Sequence, residues 1–115
     1  MKNLEDKLQA ACVNWFRYQY PDMTLFAIPN GGSRNPVEAA KLKRTGTLAG
    51  VADLFLMAPR NGFHGAWIEC KVGRNKQTQA QEQFEEKALK AGYDYTIVWD
   101  VDEFIDYVTK YLKPC

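Results

Sequence analysis

Apolar residues recur at helical spacing between residues 3 and 19, where Leu4, Leu8, Ala11, Cys12 and Trp15 mark one stripe. That period predicts an amphipathic helix laid on a core, and Asn3 with Asp6 three residues later resembles a capping pair at its start. The pattern then shortens. "TLFAI" at 24–28 reads as a strand, ended by Pro29 and the turn-rich "NGGSRN". Asn35 before Pro36 is the cap and first turn of a second helix over 36–45, which Gly46 closes.

Two apolar runs follow, 53–58 and 66–72, separated by "PRNGFHG"; they predict a β-hairpin with a longer loop. Thr78 with Gln81 opens a third helix to about Ala91, with Phe84, Ala88 and Ala91 on one face. "YDYTIVW" at 93–99 is a further strand, and Asp100 with Glu103 caps a last helix bearing Phe104, Ile105, Val108 and Leu112. The order is helix, strand, inserted helix, hairpin, helix, strand, helix. It predicts an α/β fold, a mixed sheet flanked by helices, in which the last strand can run parallel to an earlier one. No repeat, low-complexity segment or linker divides the chain, so residues 1–115 are expected to form a single domain.

Composition narrows the class. At 46% hydrophobic and 13% aromatic residues, 115 residues can bury a core without staples. Cys12, Cys70 and Cys115 are odd in number and lack metal-ligand spacing, which argues against a disulfide framework or a zinc site and for a reducing compartment. No apolar stretch approaches the ~18 residues of a membrane span, so a soluble, cytoplasmic protein is expected.

Net charge is only +1, yet its distribution is uneven. Arg34, Lys41, Lys43 and Arg44 meet one acid, Glu38, across residues 34–44, and Lys71, Arg74 and Lys76 add a second basic stretch. Beyond Lys76, eight acids face four lysines. One basic face suited to a polyanion is one reading, and ordinary solvated surfaces are the other.

The run "WIECK" at 67–71 places two charged residues inside an apolar strand. Side chains alternate along a strand, so Glu69 and Lys71 share one face while Ile68 and Cys70 share the other. With the hairpin loop centred near Asn61 and Gly62, residue 53 lies opposite about residue 70, which brings Asp53 within reach of Glu69 and Lys71. Gly50, in "AGVAD", allows close backbone approach just before Asp53. Two carboxylates this close call for a cation between them, and an all-oxygen site suits Mg2+ or Mn2+. Lys71 beside such an ion can orient a water or stabilise charge on a phosphate. Hairpin geometry alone also allows Asp53 to cap a turn and Glu69 with Lys71 to pair on an exposed edge.

An acid opening one strand and E-x-K on the next resembles the PD-(D/E)XK nuclease superfamily. The ordered segments "IPNGGSRN", "EAAKLKRTGTLAGVADLFL", "WIECKVGRNKQTQAQEQF" and "AGYDYTIVWD" together resemble the VRR-NUC domain, over about Glu5 to Tyr111. The resemblance implies a restriction-endonuclease-like core, helix, three strands, helix and strand, with 36–45 as an inserted helix. It also implies a metal-dependent DNA endonuclease, structure-selective on branched DNA such as four-way junctions and acting as a homodimer. Asp53, Glu69 and the Cys70 backbone carbonyl match the metal ligands and Lys71 the catalytic lysine. Gln81 matches a glutamine that approaches the site, and Glu5 an acid that supplements it. Ala52 stands where the family usually has proline. That position shapes backbone and ligates nothing.

Local chemistry offers Glu5 and Gln81 simpler roles as well. An acid in a first helical turn is favoured by the helix dipole, and Thr78 with Gln81 makes a capping box. The loop Asn30, Gly31, Gly32, Ser33 and Arg34 reads as a phosphate contact or a plain turn; Lys41, Lys43, Arg44, Arg74 and Lys76 extend the expected DNA surface. His64 is expected on the surface, away from the chemistry. Trp15, Tyr93, Tyr95 and Trp99 are expected in the core or a dimer interface. A flap or single-strand nuclease, or a non-catalytic nucleic-acid-binding module on the same fold, remain the rival functions.

Overall fold

The computed structural model describes residues 2–29 and 35–114. In chain order the elements are α1 (Lys2–Gln19), β1 (Leu25–Ala27), α2 (Pro36–Arg44), β2 (Leu54–Leu56), β3 (Ala66–Cys70), α3 (Gln79–Lys90), β4 (Asp94–Val98) and α4 (Val101–Leu112). They form one four-stranded mixed sheet in the order β1-β2-β3-β4. β1, β2 and β3 meander antiparallel, while β4 runs parallel to β3 and therefore needs a crossover, which α3 supplies.

The two faces of the sheet carry different chemistry because the strands alternate. Leu54, Leu56, Ile68 and Val98 point to one side, where Leu8, Cys12 and Phe16 of α1 and Phe104 and Val108 of α4 complete a fully buried core. On the other side Phe26, Phe55, Trp67 and Tyr95 stand in register across all four strands. Neighbouring rings in this row lie 5.7 Å (Phe26 to Phe55) and 4.5 Å (Phe55 to Trp67) apart between centroids. α3 roofs one end of it through Phe84, whose ring meets Trp67 at 5.1 Å and Tyr95 at 6.4 Å.

Caps set most helix limits. Asn35 accepts from the Val37 and Glu38 amides, Thr78 and Gln81 exchange both bonds of a capping box, and Asp100 accepts from the Glu103 amide. The expected pair at Asn3 does not form such a start, because α1 begins at Lys2 and Asn3 is already helical. The buried stripe of α1 is Leu8, Cys12 and Phe16; Leu4 is 52% exposed and Ala11 faces solvent. Ala91 is exposed as the C-cap residue of α3, where its amide turns back onto the last turn. α2, the inserted helix, buries none of its residues.

The hairpin departs from expectation by one residue. Its tip is where the turn signals place it, with Arg60 bridging Phe63 around Asn61 and Gly62, both at positive φ. Between that tip and the strands, three residues, Met57, Ala58 and Pro59, stand against two, His64 and Gly65. This bulge at a proline, which cannot donate to the ladder, shifts the strand pairing so that Leu54 faces Ile68. One further step sets Asp53 opposite Glu69, not Cys70. A one-residue slip exchanges the faces of a strand, so the bulge is what puts both acids on the same side.

Candidate active site

The site lies at the end of β2 and β3, in a cleft of about 1160 Å³ lined by Glu5 and Gln9 of α1, Lys43 of α2, Asp53, Glu69 and Gln81. Asp53 precedes β2, with its backbone held by the Ile28 amide at 2.9 Å. Its Oδ2 accepts the Cys70 backbone N–H at 2.8 Å, which ties the acid to the neighbouring strand. Gly50 shapes the approach: at φ +89, a Cβ there would sit 2.4 Å from the Ala80 carbonyl oxygen. The close approach expected at this glycine is thus made to the first turn of α3.

Glu69 is 2% exposed and Lys71 5%. Two ionisable groups this deep must be paired. Glu69 Oε2 accepts from Gln81 Nε2 at 3.0 Å, and Lys71 Nζ donates to Gln81 Oε1 at 2.8 Å while standing 3.9 Å from Glu69 Oε2. Gln81 Oε1 also accepts the Thr78 amide at 2.9 Å. The capping and site-approaching roles of Gln81 are therefore one arrangement: fixing its own helix end aims the amide between lysine and carboxylate.

Glu69 Oε1 is buried and, among the described residues, has no hydrogen-bond partner. Burial, and then the facing Asp53 carboxylate, push the Glu69 carboxyl up to about 8, against the pull of Lys71. Burial likewise raises Asp53, opposed by the Cys70 N–H, and Glu5 adds to both shifts through its charge. Two acids that close, one with an orphaned oxygen, are short of positive charge. That deficit is the observation a hard divalent cation fits, with Asp53, Glu69 and the Cys70 carbonyl as its oxygen donors. Among the described residues no three His, Cys, Asp or Glu side chains gather as a ligand group.

Glu5 joins the site through a residue the sequence reading passed over. Asn75, in the turn after Lys71, donates to Glu5 Oε2 at 2.6 Å. Nothing local marks Asn75, since its partner lies 70 positions away. Cys70 points its thiol into the core against Cys12, both fully buried, as the alternation of "WIECK" requires.

The basic residues do not converge so tightly. Lys43 lines the cleft, while Lys41, Arg44, Arg74 and Lys76 are exposed and do not line it. Asn30, Gly31, Gly32, Ser33 and Arg34, the expected phosphate loop, lie outside the described residues. His64 is exposed in the hairpin loop, its ring against Gly92 and Tyr93. Tyr95 is buried, Trp15 packs edge-on to Phe104, and Trp99 is 40% exposed. No helix among the described residues is long and apolar enough to cross a membrane.

No family model matches the chain, and no curated protein matches it. A solved structure described as a VRR_NUC domain protein is similar at a TM-score of 0.77 and 30% identity, covering 94% of this chain and 87% of that one. Identity at that level over nearly both full lengths, together with the sheet order and the acidic strand ends described above, places the chain in the VRR-NUC domain family.

Proposed function

We propose that this VRR-NUC domain is a metal-dependent DNA endonuclease, in which Asp53, Glu69 and the Cys70 carbonyl hold Mg2+ or Mn2+ and Lys71 serves the reaction. The observation that carries this reading is the orphaned Glu69 Oε1, buried beside a second carboxylate and within reach of a lysine. When bound, a hard divalent ion supplies charge stabilisation on the phosphate and makes a water more acidic. The chain's own residues do the rest. Gln81 holds the Lys71 ammonium against the carboxylates, so its remaining protons are directed to a phosphate oxygen or to an attacking water entering the cleft. Burial of Glu69 and Lys71 keeps competing water out of the same space. Lys41, Lys43, Arg44, Arg74 and Lys76, with the Asn30–Arg34 loop, supply backbone contacts that carry little sequence information.

One chain presents one such site, and cutting both strands of a branch calls for two. A two-fold homodimer supplies them, which supports branched DNA such as a four-way junction as the substrate. The test is cleavage of labelled junction, flap, duplex and single-stranded DNAs, with and without Mn2+, by the unsubstituted chain and by Glu69→Ala. Mn2+-dependent paired cuts in junctions by a dimer, lost in Glu69→Ala, are expected. A Glu69→Ala protein cutting at the unsubstituted rate overturns the site. Cleavage confined to flaps or single strands overturns the substrate, and binding with no cleavage makes the domain a non-catalytic module.

A further inference from the structure

Asn75 stands on a turn four residues beyond Lys71, where its own backbone N–H donates to the Val72 carbonyl at 3.2 Å. From there its side-chain amide reaches α1 and donates to Glu5 Oε2 at 2.6 Å, a short bond to a charged acceptor. Glu5 lines the same cleft as Asp53 and Glu69, and among the described residues the three do not gather as one ligand group. An acid placed beside two others is repelled by them, so something must hold it there. A lysine or arginine in that position would neutralise the site and compete with a bound cation; a neutral amide holds the carboxylate and leaves its charge in place.

We propose that Asn75 is a positioning residue of the cation site, fixing Glu5 one layer outside the ligands as an acceptor for the waters that a divalent ion carries. A Mg2+-sized ion keeps several waters even when bound by one or two carboxylates, and outer partners that orient a site commonly contribute about 10- to 100-fold in metal affinity. The inference rests on the metal reading above and extends it to a residue that the E-x-K pattern does not include. The competing role is structural: Asn75 as a tie between α1 and the turn after β3, with Glu5 serving only the helix dipole.

Mn2+ titration by calorimetry of the metal-free chain separates these roles, using Asn75→Ala, Glu5→Gln and the double variant, with thermal unfolding of each in chelator. Both single variants are expected to weaken Mn2+ binding by about 10- to 100-fold, and the double variant no more than either, because Asn75 acts through Glu5. Asn75→Asp replaces the donor with a repelling acceptor and is expected to weaken binding as much. If Asn75→Ala does not fold, Asn75→Ser, a shorter donor, serves in the same comparison. Unchanged Mn2+ affinity in a folded Asn75 variant overturns the inference, as does an equal loss in the Glu5→Gln background. Absence of Mn2+ binding by the unsubstituted chain overturns the metal reading itself, and that outcome is distinct from a variant that leaves real binding unaltered.

Discussion

Asp53 stands across the hairpin from Glu69, one residue away from the partner that a symmetric loop would give it. The extra residue in Met57–Pro59 makes the difference. Because of it, both carboxylates face the cleft, and desolvation, the closeness of the two acids and the charge of Lys71 dominate the behaviour of the site.

The first consequence is a pH dependence of folding in the absence of metal. The Glu69 carboxyl is raised to about 8 in the folded chain from an ordinary value near 4.5. A group raised on folding contributes stability that is fully present below its unfolded value and lost as pH rises through its folded value. The urea midpoint in chelator is therefore expected to fall as pH rises from 4.5 to about 8 and to level off above that, and Glu69→Gln to flatten that slope. Asp53 is raised too, so its effect has the same sign. Saturating Mn2+ is expected to remove the fall, since it favours both charged carboxylates. An unchanged slope in Glu69→Gln would contradict the assignment.

Gln81 bonds Glu69 on β3, Lys71 just beyond that strand, and Thr78 at the cap of its own helix. Replacing it with alanine leaves Lys71 and Glu69 buried without their shared amide, at about 1–3 kcal/mol, and removes half a capping box. Thr78→Ala removes the helix cap while leaving the Gln81 side chain, at about 1 kcal/mol. In urea titrations both variants should lose stability. Cleavage should fall on the order of 10²-fold in Gln81→Ala and only a few-fold in Thr78→Ala, taking a displaced charge stabiliser at about 2.7 kcal/mol. Equal activity losses in the two variants would mean that Gln81 acts only as a cap.

Gly50→Ala tests the wall of the cleft. The added methyl meets the Ala80 carbonyl oxygen at 2.4 Å, and the backbone sits at φ +89, where side chains other than glycine are strained. A loss of more than about 1 kcal/mol in denaturant stability is expected. Displacement of the segment leading into Asp53 is expected to lower cleavage beyond what the stability loss explains, measured well below the unfolding temperature.

Charges on α2 should act through DNA alone, since no residue of that helix is buried. Replacing Lys41, Lys43 and Arg44 together with alanine is expected to leave unfolding within about 0.5 kcal/mol of the unsubstituted chain. Duplex binding should weaken, and the slope of log affinity against log salt should drop by up to about 3, near 0.9 for each lost phosphate contact. A slope unchanged within error would remove α2 from the nucleic-acid surface.

The elements themselves were legible because their signals are local. Helical spacing, the Asn35–Pro36 start, the Thr78 and Asp100 caps and the "WIECK" alternation each depend on residues within about one turn or two strand positions of one another. The E-x-K spacing could likewise be read without the fold, since Glu69 and Lys71 lie on one face of any strand that contains them.

What the chain order did not reveal depends on contacts between distant segments. Alternation assigns faces within each strand, but the bulge at Pro59 decides which residue of β3 meets Asp53. Spacing identifies Gln81 as a cap, but only the packing of α3 over β3 and β4 places its amide between Glu69 and Lys71. Asn75 carries no local signal at all, because its meaning lies in a carboxylate on α1. The sequence by itself therefore determined which elements form and which face of each strand is charged. Tertiary structure decided which of those faces meet and how deeply the charges are buried, because register and desolvation are properties of packed neighbours and not of the chain that bears them.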